Sequence, residues 1–443
     1  MRIAFRTLIL ILLFIQTGKS QETDKERDLS YCIKYAIENN LDLASQIVGG
    51  EIIKEDYKQS KRDLLPNLSA SSTGNVLFGK SIDPLTNKFV NKQLFSTRFN
   101  INSEITLFRG FVNINAIKMN KYRYLQKKED IKQKEFELAF LIMNNYYDYI
   151  YYKRLSGIVK KQVDLSNMNL KKINKEVKLG IKAQSDLLEI KAQSSKEAHN
   201  YIVAQNNMNK ALLTLKKNMN YPLEKNLIVK EKIHLLNNIG RKSDDIYSIA
   251  IKHMPTIISS QNNTKAKLKQ LAIARGYLSP SISLGGQYST NYTTNDRIDF
   301  KNQFNKQIDN NASQAVYLSL KIPIFQKWNS RSRIKKAKKE IRIARIQEES
   351  KKLQLRQQIA EDNLALSAIN KEIKQLKEQV SALKEGYTIA EKKLHQGLIS
   401  IIEFYTSKNQ YTQSQANLVR KQMEKIIKEK TISFYLGKSW TEL

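Results

Sequence analysis

Four histidines, one cysteine and a scatter of carboxylates are the residues of this chain that could ligate a metal or form a covalent intermediate, and their spacing supports neither. His199, His234, His253 and His395 share no metal-ligand spacing, and there is no His-Glu-x-x-His, Gly-x-Ser-x-Gly or phosphate-cradling Gly loop. Cys32 has no second cysteine to pair with, and Tyr31-Cys32-Ile33 reads as the setting of a small buried apolar side chain. The expectation is no enzyme, no cofactor and no metal. What recurs instead is charge beside a turn. Gly180-Ile181-Lys182-Ala183-Gln184-Ser185-Asp186-Leu187 and Gly397-Leu398-Ile399-Ser400-Ile401-Ile402-Glu403-Phe404 both read Gly, five residues, an acid and an apolar residue, followed by Lys191 and Gln193 in one and Lys408 and Gln410 in the other. Gly suits the left-handed position that ends a helix. Asp186 then falls in the first turn of the next helix, where negative charge suits the dipole, and Ser400 with Glu403 fits a capping box.

Two matching turns need two matching scaffolds, and the chain supplies them as an internal repeat. Residues 31–220 and 245–437 pass through the same order of events, offset by about 215 positions. Each half opens with an amphipathic helical stretch near 31–64 or 245–276 and reaches a Pro in similar company, Leu65-Pro66-Asn67 and Ser279-Pro280-Ser281. Two alternating strand-like runs follow, ending at Phe108 and Phe325. A long stretch from Phe111 to Lys178, or from Trp328 to Leu394, contains no Pro and one Gly, so each predicts a helix about 100 Å long at the α-helical rise. In the second, Leu366, Ile373, Val380, Tyr387 and Leu394 with Ile369, Leu376, Leu383 and Ala390 keep a 3.5-residue spacing, which predicts coiled-coil packing. Return helices are expected at about 185–218 and 401–436. The tyrosines 146, 147, 149, 151 and 152 read as packing residues.

The totals agree with long exposed helices: 15 Gly and 6 Pro in 443 residues leave little punctuation, and 26% of residues are charged. A net charge of +33 would favour phosphate backbones, but Lys is spread along every helix and no recognition element accompanies it, so nucleic acid is not an expected partner. Arg2 and Arg6, the apolar block Leu8–Ile15 and Gly18-Lys19-Ser20 read as a signal peptide, residues 1–20, cut before Gln21. No later run approaches the 20 or so apolar residues that a membrane helix needs.

The strand-like runs alternate with period two. Phe99, Ile101, Ile105 and Leu107 oppose Arg98, Asn100, Asn102, Glu104 and Thr106; Val316, Leu318, Leu320, Ile322 and Ile324 oppose Tyr317, Ser319 and Lys321. The upstream partners are Leu68, Ala70, Val76 and Phe78 in one hairpin, and Ile282, Leu284, Tyr288 and Tyr292 in the other. Each run has the length of a tilted membrane strand. Four strands cannot close a barrel, so copies of the chain must pool theirs: two would give eight strands, three a wider twelve. The connections at about 79–92 and 294–312 read as polar extracellular loops.

With its repeat, the Pro before each hairpin, Ile322-Pro323-Ile324-Phe325 closing the second and both Gly-x5-acid tips, the mature chain resembles the TolC family of outer-membrane efflux and secretion channels. The resemblance implies a mostly helical fold with a small β part. Its domains are a signal peptide (1–20), a first repeat (21–243; hairpin about 66–108, tip about 179–185) and a second (244–443; hairpin about 280–325, tip about 395–401). It implies a homotrimer with a twelve-stranded barrel in the outer membrane and a periplasmic helical barrel. Its partners would be a periplasmic adaptor (membrane fusion) protein and an inner-membrane transporter of the RND, ABC or MFS type, and its role a passive conduit for efflux or type I secretion. Asp186 and Glu403 would line the constricted mouth and favour cations, while Gly180, Ile181, Lys182, Ser185, Gly397, Leu398, Ile399 and Ser400 would meet the adaptor. Three departures from the family pattern are Thr406 where many members carry a second acid, Ile399 at a tip position that is polar or basic in some, and a first hairpin ending Thr106-Leu107-Phe108 without Pro. They point to a gate with less charge or more apolar contact. The competing reading is a periplasmic coiled-coil adaptor or scaffold with a soluble sheet.

Overall fold

The structure, a computed structural model, describes residues 26–83, 87–91, 93–231, 241–294 and 300–438. The expected signal peptide and His234 lie outside them. Two short helices, α1 (Leu29–Asn39) and α2 (Leu41–Arg62), lead into strands β1 (Asn67–Leu77), β2 (Lys80–Asp83), β3 (Lys88–Asn91) and β4 (Leu94–Arg109). Helix α3 (Val112–Lys178) and its return α4 (Gln184–Met219) follow, then α5 (Ser243–His253), α6 (Pro255–Gly276), β5 (Ser281–Thr294), α7 (Phe300–Asn310) and β6 (Ser313–Lys321). Helices α8 (Asn329–His395) and α9 (Ile401–Tyr435) end the described chain. The fold is mostly helical with a small sheet. Both long helices have 67 residues.

The leading stretch of each half is two helices where one was expected. Asn40 breaks the first: it takes an extended conformation and its Oδ1 accepts from the Leu43 amide at 2.9 Å, starting α2. In the second, Pro255 occupies the first turn of α6, where its missing N–H costs nothing, and Met254 before it is extended. The expected polar loops also carry structure. β2 and β3 form a hairpin in the first, and the second contains α7, in which Phe304 and Ile308 stand one turn apart. Phe304 packs on Phe99 and Tyr292, with ring centroids 6.3 and 5.2 Å away. β6 stops at Lys321, so Ile322 and Ile324 fall beyond it, as Pro323 cannot donate to a ladder.

Contacts divide the chain into two compact units, each drawing on both halves of the sequence. Among the described residues, one comprises those up to Ser45, those within Gln133–His253 and those from Gln354 onward; the other comprises those within Gln46–Lys132 and Met254–Leu353. In the second unit the main sheet has the order β1-β4-β5-β6, antiparallel throughout, so β4 and β5 join the two hairpins. The register places Leu68, Ala70, Val76, Phe95, Phe99, Ile101, Ile105, Leu284, Tyr288, Tyr292, Val316, Leu318 and Leu320 on one face. Ser69, Thr73, Arg98, Asn100, Asn102, Glu104, Gln287 and Ser319 occupy the other. An irregularity between Thr106 and Phe108 takes Leu107 out of the pattern.

The first unit is built on side chains that the apolar periodicity selects. Tyr146, Tyr147, Tyr149 and Tyr151 are buried. Tyr146 OH donates to the Lys230 carbonyl and Tyr151 OH accepts from Arg420 at 3.1 Å. Leu366, Ile369 and Ile373 on the α8 heptad stripe are buried as well. Cys32 is fully enclosed, and burial pushes its thiol up to about 12, which keeps it protonated and unreactive at neutral pH.

Candidate functional site

The tips belong to the first unit. At both, the helix ends in the same hydrogen-bonded turn. Gly180 (φ +74°) and Gly397 (φ +73°) take the left-handed conformation. The Ile181 amide donates to Glu176 O at 2.8 Å, and Leu398 donates to Lys393 O at 2.9 Å. A bond reaching back five residues across a left-handed Gly is the Schellman arrangement, and it reverses the chain within a few residues.

The helices that start after the turns differ. Ser400 caps α9, its Oγ accepting from the Glu403 amide at 3.2 Å, whereas Ala183 at the same point of α4 has no side-chain cap. The Asp186 carboxylate lies 3.9 Å from Lys182 and is half-buried; Glu403 is exposed. Ile181 and Leu398 are exposed apolar residues. Ile399, unusual for its position, packs with Leu187, Leu394 and Tyr387 against a core of Ile173, Ile190, Ile401, Phe404 and Tyr405. The two turns therefore share one apolar cluster, and the two acids sit outside it.

About three helical turns from Gly397, and absent from the sequence-level expectations except as the counterpart of Lys191, is a buried ion pair. Lys408 Nζ donates to both Glu197 oxygens, at 2.9 and 3.1 Å, and to the Gln162 carbonyl at 3.2 Å. It lies 4.9 Å from the Tyr405 ring centre, and Tyr405 OH in turn meets Ser166 Oγ at 3.2 Å. Only 1% of the Lys408 side chain and 6% of Glu197 are exposed. Desolvation pulls the ammonium below the ordinary lysine range, and Glu197 opposes that shift. The contact ties α9 to α3 and α4. Spacing carried a signal for it: Lys408 follows Phe404 and Tyr405 by four and three positions, and Glu197 follows Ile190 by seven, so both occupy apolar stripes.

In the second unit, the sheet presents the other candidate surface. Its two outer strands, β1 and β6, are exposed along their whole length. Leu68, Val316 and Leu318, at 77%, 82% and 68% exposure, lie on the apolar face described above. Each outer strand has one paired edge and one open edge. Beyond Ser289, where β6 no longer reaches, Gln307 of α7 substitutes for it, accepting from the Thr293 amide and donating to its carbonyl, both at 3.0 Å. Among the described residues no helix is long and apolar enough to cross a membrane, and no group of three His, Cys, Asp or Glu side chains could hold a metal ion.

Residues 246–438 match the model of the outer membrane efflux protein family. No curated protein matches the chain. Among solved structures, CusC superposes with a TM-score of 0.77 at 16% identity, covering 94% of this chain and 93% of that one. The outer membrane protein VceC of Vibrio cholerae gives 0.78 at 13% identity, covering 93% and 96%. The CmeC outer membrane channel of Campylobacter jejuni gives 0.78 at 15% identity, covering 94% and 88%. The chain thus has, over nearly its whole length, the fold of these outer-membrane channels, and its second half is similar to the outer membrane efflux protein family.

Proposed function

We propose that the chain is one subunit of a trimeric outer-membrane channel, a passive conduit for efflux or type I secretion. The observation that carries this reading is the sheet: an exposed apolar face with two open edges and only four strands. Lipid is a natural cover for the face. A neighbouring copy is a natural partner for each edge, β6 of one chain pairing with β1 of the next, and three chains make a barrel of about twelve strands. The long helices extend from the strands into the periplasm as a helical barrel. A signal peptide at 1–20 directs export to the outer membrane. A periplasmic adaptor engages the tip residues Gly180, Ile181, Lys182, Ser185, Gly397, Leu398, Ile399 and Ser400, and an inner-membrane pump of the RND, ABC or MFS type supplies the free energy. The protein itself catalyses no reaction.

Asp186 and Glu403 are proposed to line the inner mouth. The exposure of Glu403 favours it as the stronger site; the Lys182 partner of Asp186 offsets part of its charge. In planar bilayers, Glu403→Ala should weaken cation selectivity and divalent block more than Asp186→Ala. Unchanged selectivity and block in both variants would remove the gate role.

A further inference from the structure

A second charged surface lies where the sheet gives way to helices, in the unit that contains the sheet. Nine of the nineteen residues from Lys327 to Arg345 are Lys or Arg, and Glu340 is the only acid among them. Glu340 is taken up by Lys267 at 3.1 Å. Arg331, Arg333, Lys335, Lys336, Lys338, Lys339, Arg342 and Arg345 are all exposed, while Ala337, Ile341 and Ala344 between them are buried. Arg109 and Lys321 continue this charge onto the last row of the sheet, where each is paired through Ser281.

Aromatic rings accompany the cations. The Arg331 guanidinium lies 4.5 Å from the centre of the Trp328 ring, and Tyr277 is approached by Arg109 at 5.2 Å and Arg333 at 5.6 Å. The backbone holds two of the aromatic residues in place by the same device in each half. Gly110-Phe111 (φ +55° and +59°) and Lys327-Trp328 (φ +49° and +62°) are consecutive left-handed pairs between strand and long helix. Aromatic residues rarely adopt that conformation. Here it leaves Phe111 62% and Trp328 63% exposed, beside Phe325 and Ile324 at 73% and 95%. Rings at the edge of an apolar strand face, backed by arginines and lysines, are the chemistry of a membrane–water boundary with acidic headgroups.

We propose that this collar binds the headgroups of anionic phospholipids in the leaflet at the helical end of the sheet, with Trp328 and Phe111 at the acyl boundary and Arg331, Arg333, Lys335, Lys336, Lys338 and Lys339 on the phosphates. The inference rests on the reading of the sheet as lipid-facing, and adds which lipid and where. With Trp440→Phe, Trp328 becomes the only tryptophan of the two in the sequence. That full chain is reconstituted in phosphatidylcholine vesicles containing either brominated phosphatidylglycerol or brominated phosphatidylcholine. The brominated phosphatidylglycerol should quench Trp328 with about tenfold higher apparent affinity, given several cations at an anionic surface. The preference should fall to about one in K335Q/K336Q/K338Q/K339Q, whose cations no longer draw the acidic lipid. It should also collapse in the unsubstituted collar at about 1 M salt, where the Debye length is roughly 3 Å. Equal quenching by the two lipids at low salt would overturn the collar while leaving the channel reading intact, as would a preference that survives both the substitutions and the salt. Absence of quenching by either lipid would place Trp328 outside the bilayer and overturn the collar, while a single chain dispersed without detergent would overturn the channel reading.

Discussion

The two tips are built to one plan and finished differently. Both reverse the chain on a left-handed Gly with a near-identical φ, and both place an acid six residues later. Yet α9 starts on a capping serine and buries Phe404, while α4 starts on an uncapped alanine and leaves Leu187 only partly covered. Eleven residues beyond each Gly stands a lysine: Lys408 is sealed against Glu197, and Lys191 is in solvent. The duplicated turn is thus a shared hinge geometry, whereas the side chains around it differ: the lysine after the second tip is sealed against Glu197 on the return helix of the first and ties the two together, while the lysine after the first tip is left in solvent.

Lysine substitutions should expose the difference most strongly. Lys408→Met leaves the Glu197 carboxylate buried without its cation and should cost about 3–5 kcal/mol, measured by denaturant unfolding. Lys191→Met should fall within about 0.5 kcal/mol of the parent. Restoring an apolar pair with Lys408→Met and Glu197→Leu together should recover much of the loss. Equal effects at 408 and 191 would break the comparison. The shared part of the plan gives the next effect: Gly180→Ala and Gly397→Ala should each cost about 1–2 kcal/mol, and by similar amounts, because both impose a Cβ on a left-handed residue and neither meets a neighbouring atom. Caps give the smallest. Ser400→Ala should lose about 1 kcal/mol and Ala183→Ser should gain a comparable fraction of it, drawing the two tips closer in amide hydrogen-exchange protection.

Much of this is legible in the amino-acid order, for identifiable reasons. Long helices are visible because each lacks Pro and holds a single Gly, and the four main strands because a sheet with one apolar and one polar face forces period two. The heptad stripe on α8 is visible because its side chains repeat every turn pair. The features that escape depend on single residues or on contacts distant in sequence. Asn40 and Met254 end helices within what reads as continuous amphipathic stretches. Helix α7 reads as loop because it is only 11 residues long and mostly Asn, Gln and Lys, so its apolar stripe rests on three residues, Phe300, Phe304 and Ile308. The Glu197–Lys408 pair joins residues 211 apart, and a lysine on an apolar stripe is easily read as a solvated one. At the tips, spacing identifies Asp186 and Glu403, and it also places Lys182 four residues before Asp186, where one helical turn pairs them, against Ile399 four residues before Glu403.

The central claim is that this sheet is completed by copies of the same chain and covered by lipid. Light scattering of the purified mature protein measures it most directly, with the detergent mass subtracted. A particle of three chains that precipitates when detergent is withdrawn is the predicted result. A single chain that stays dispersed in plain buffer would contradict it.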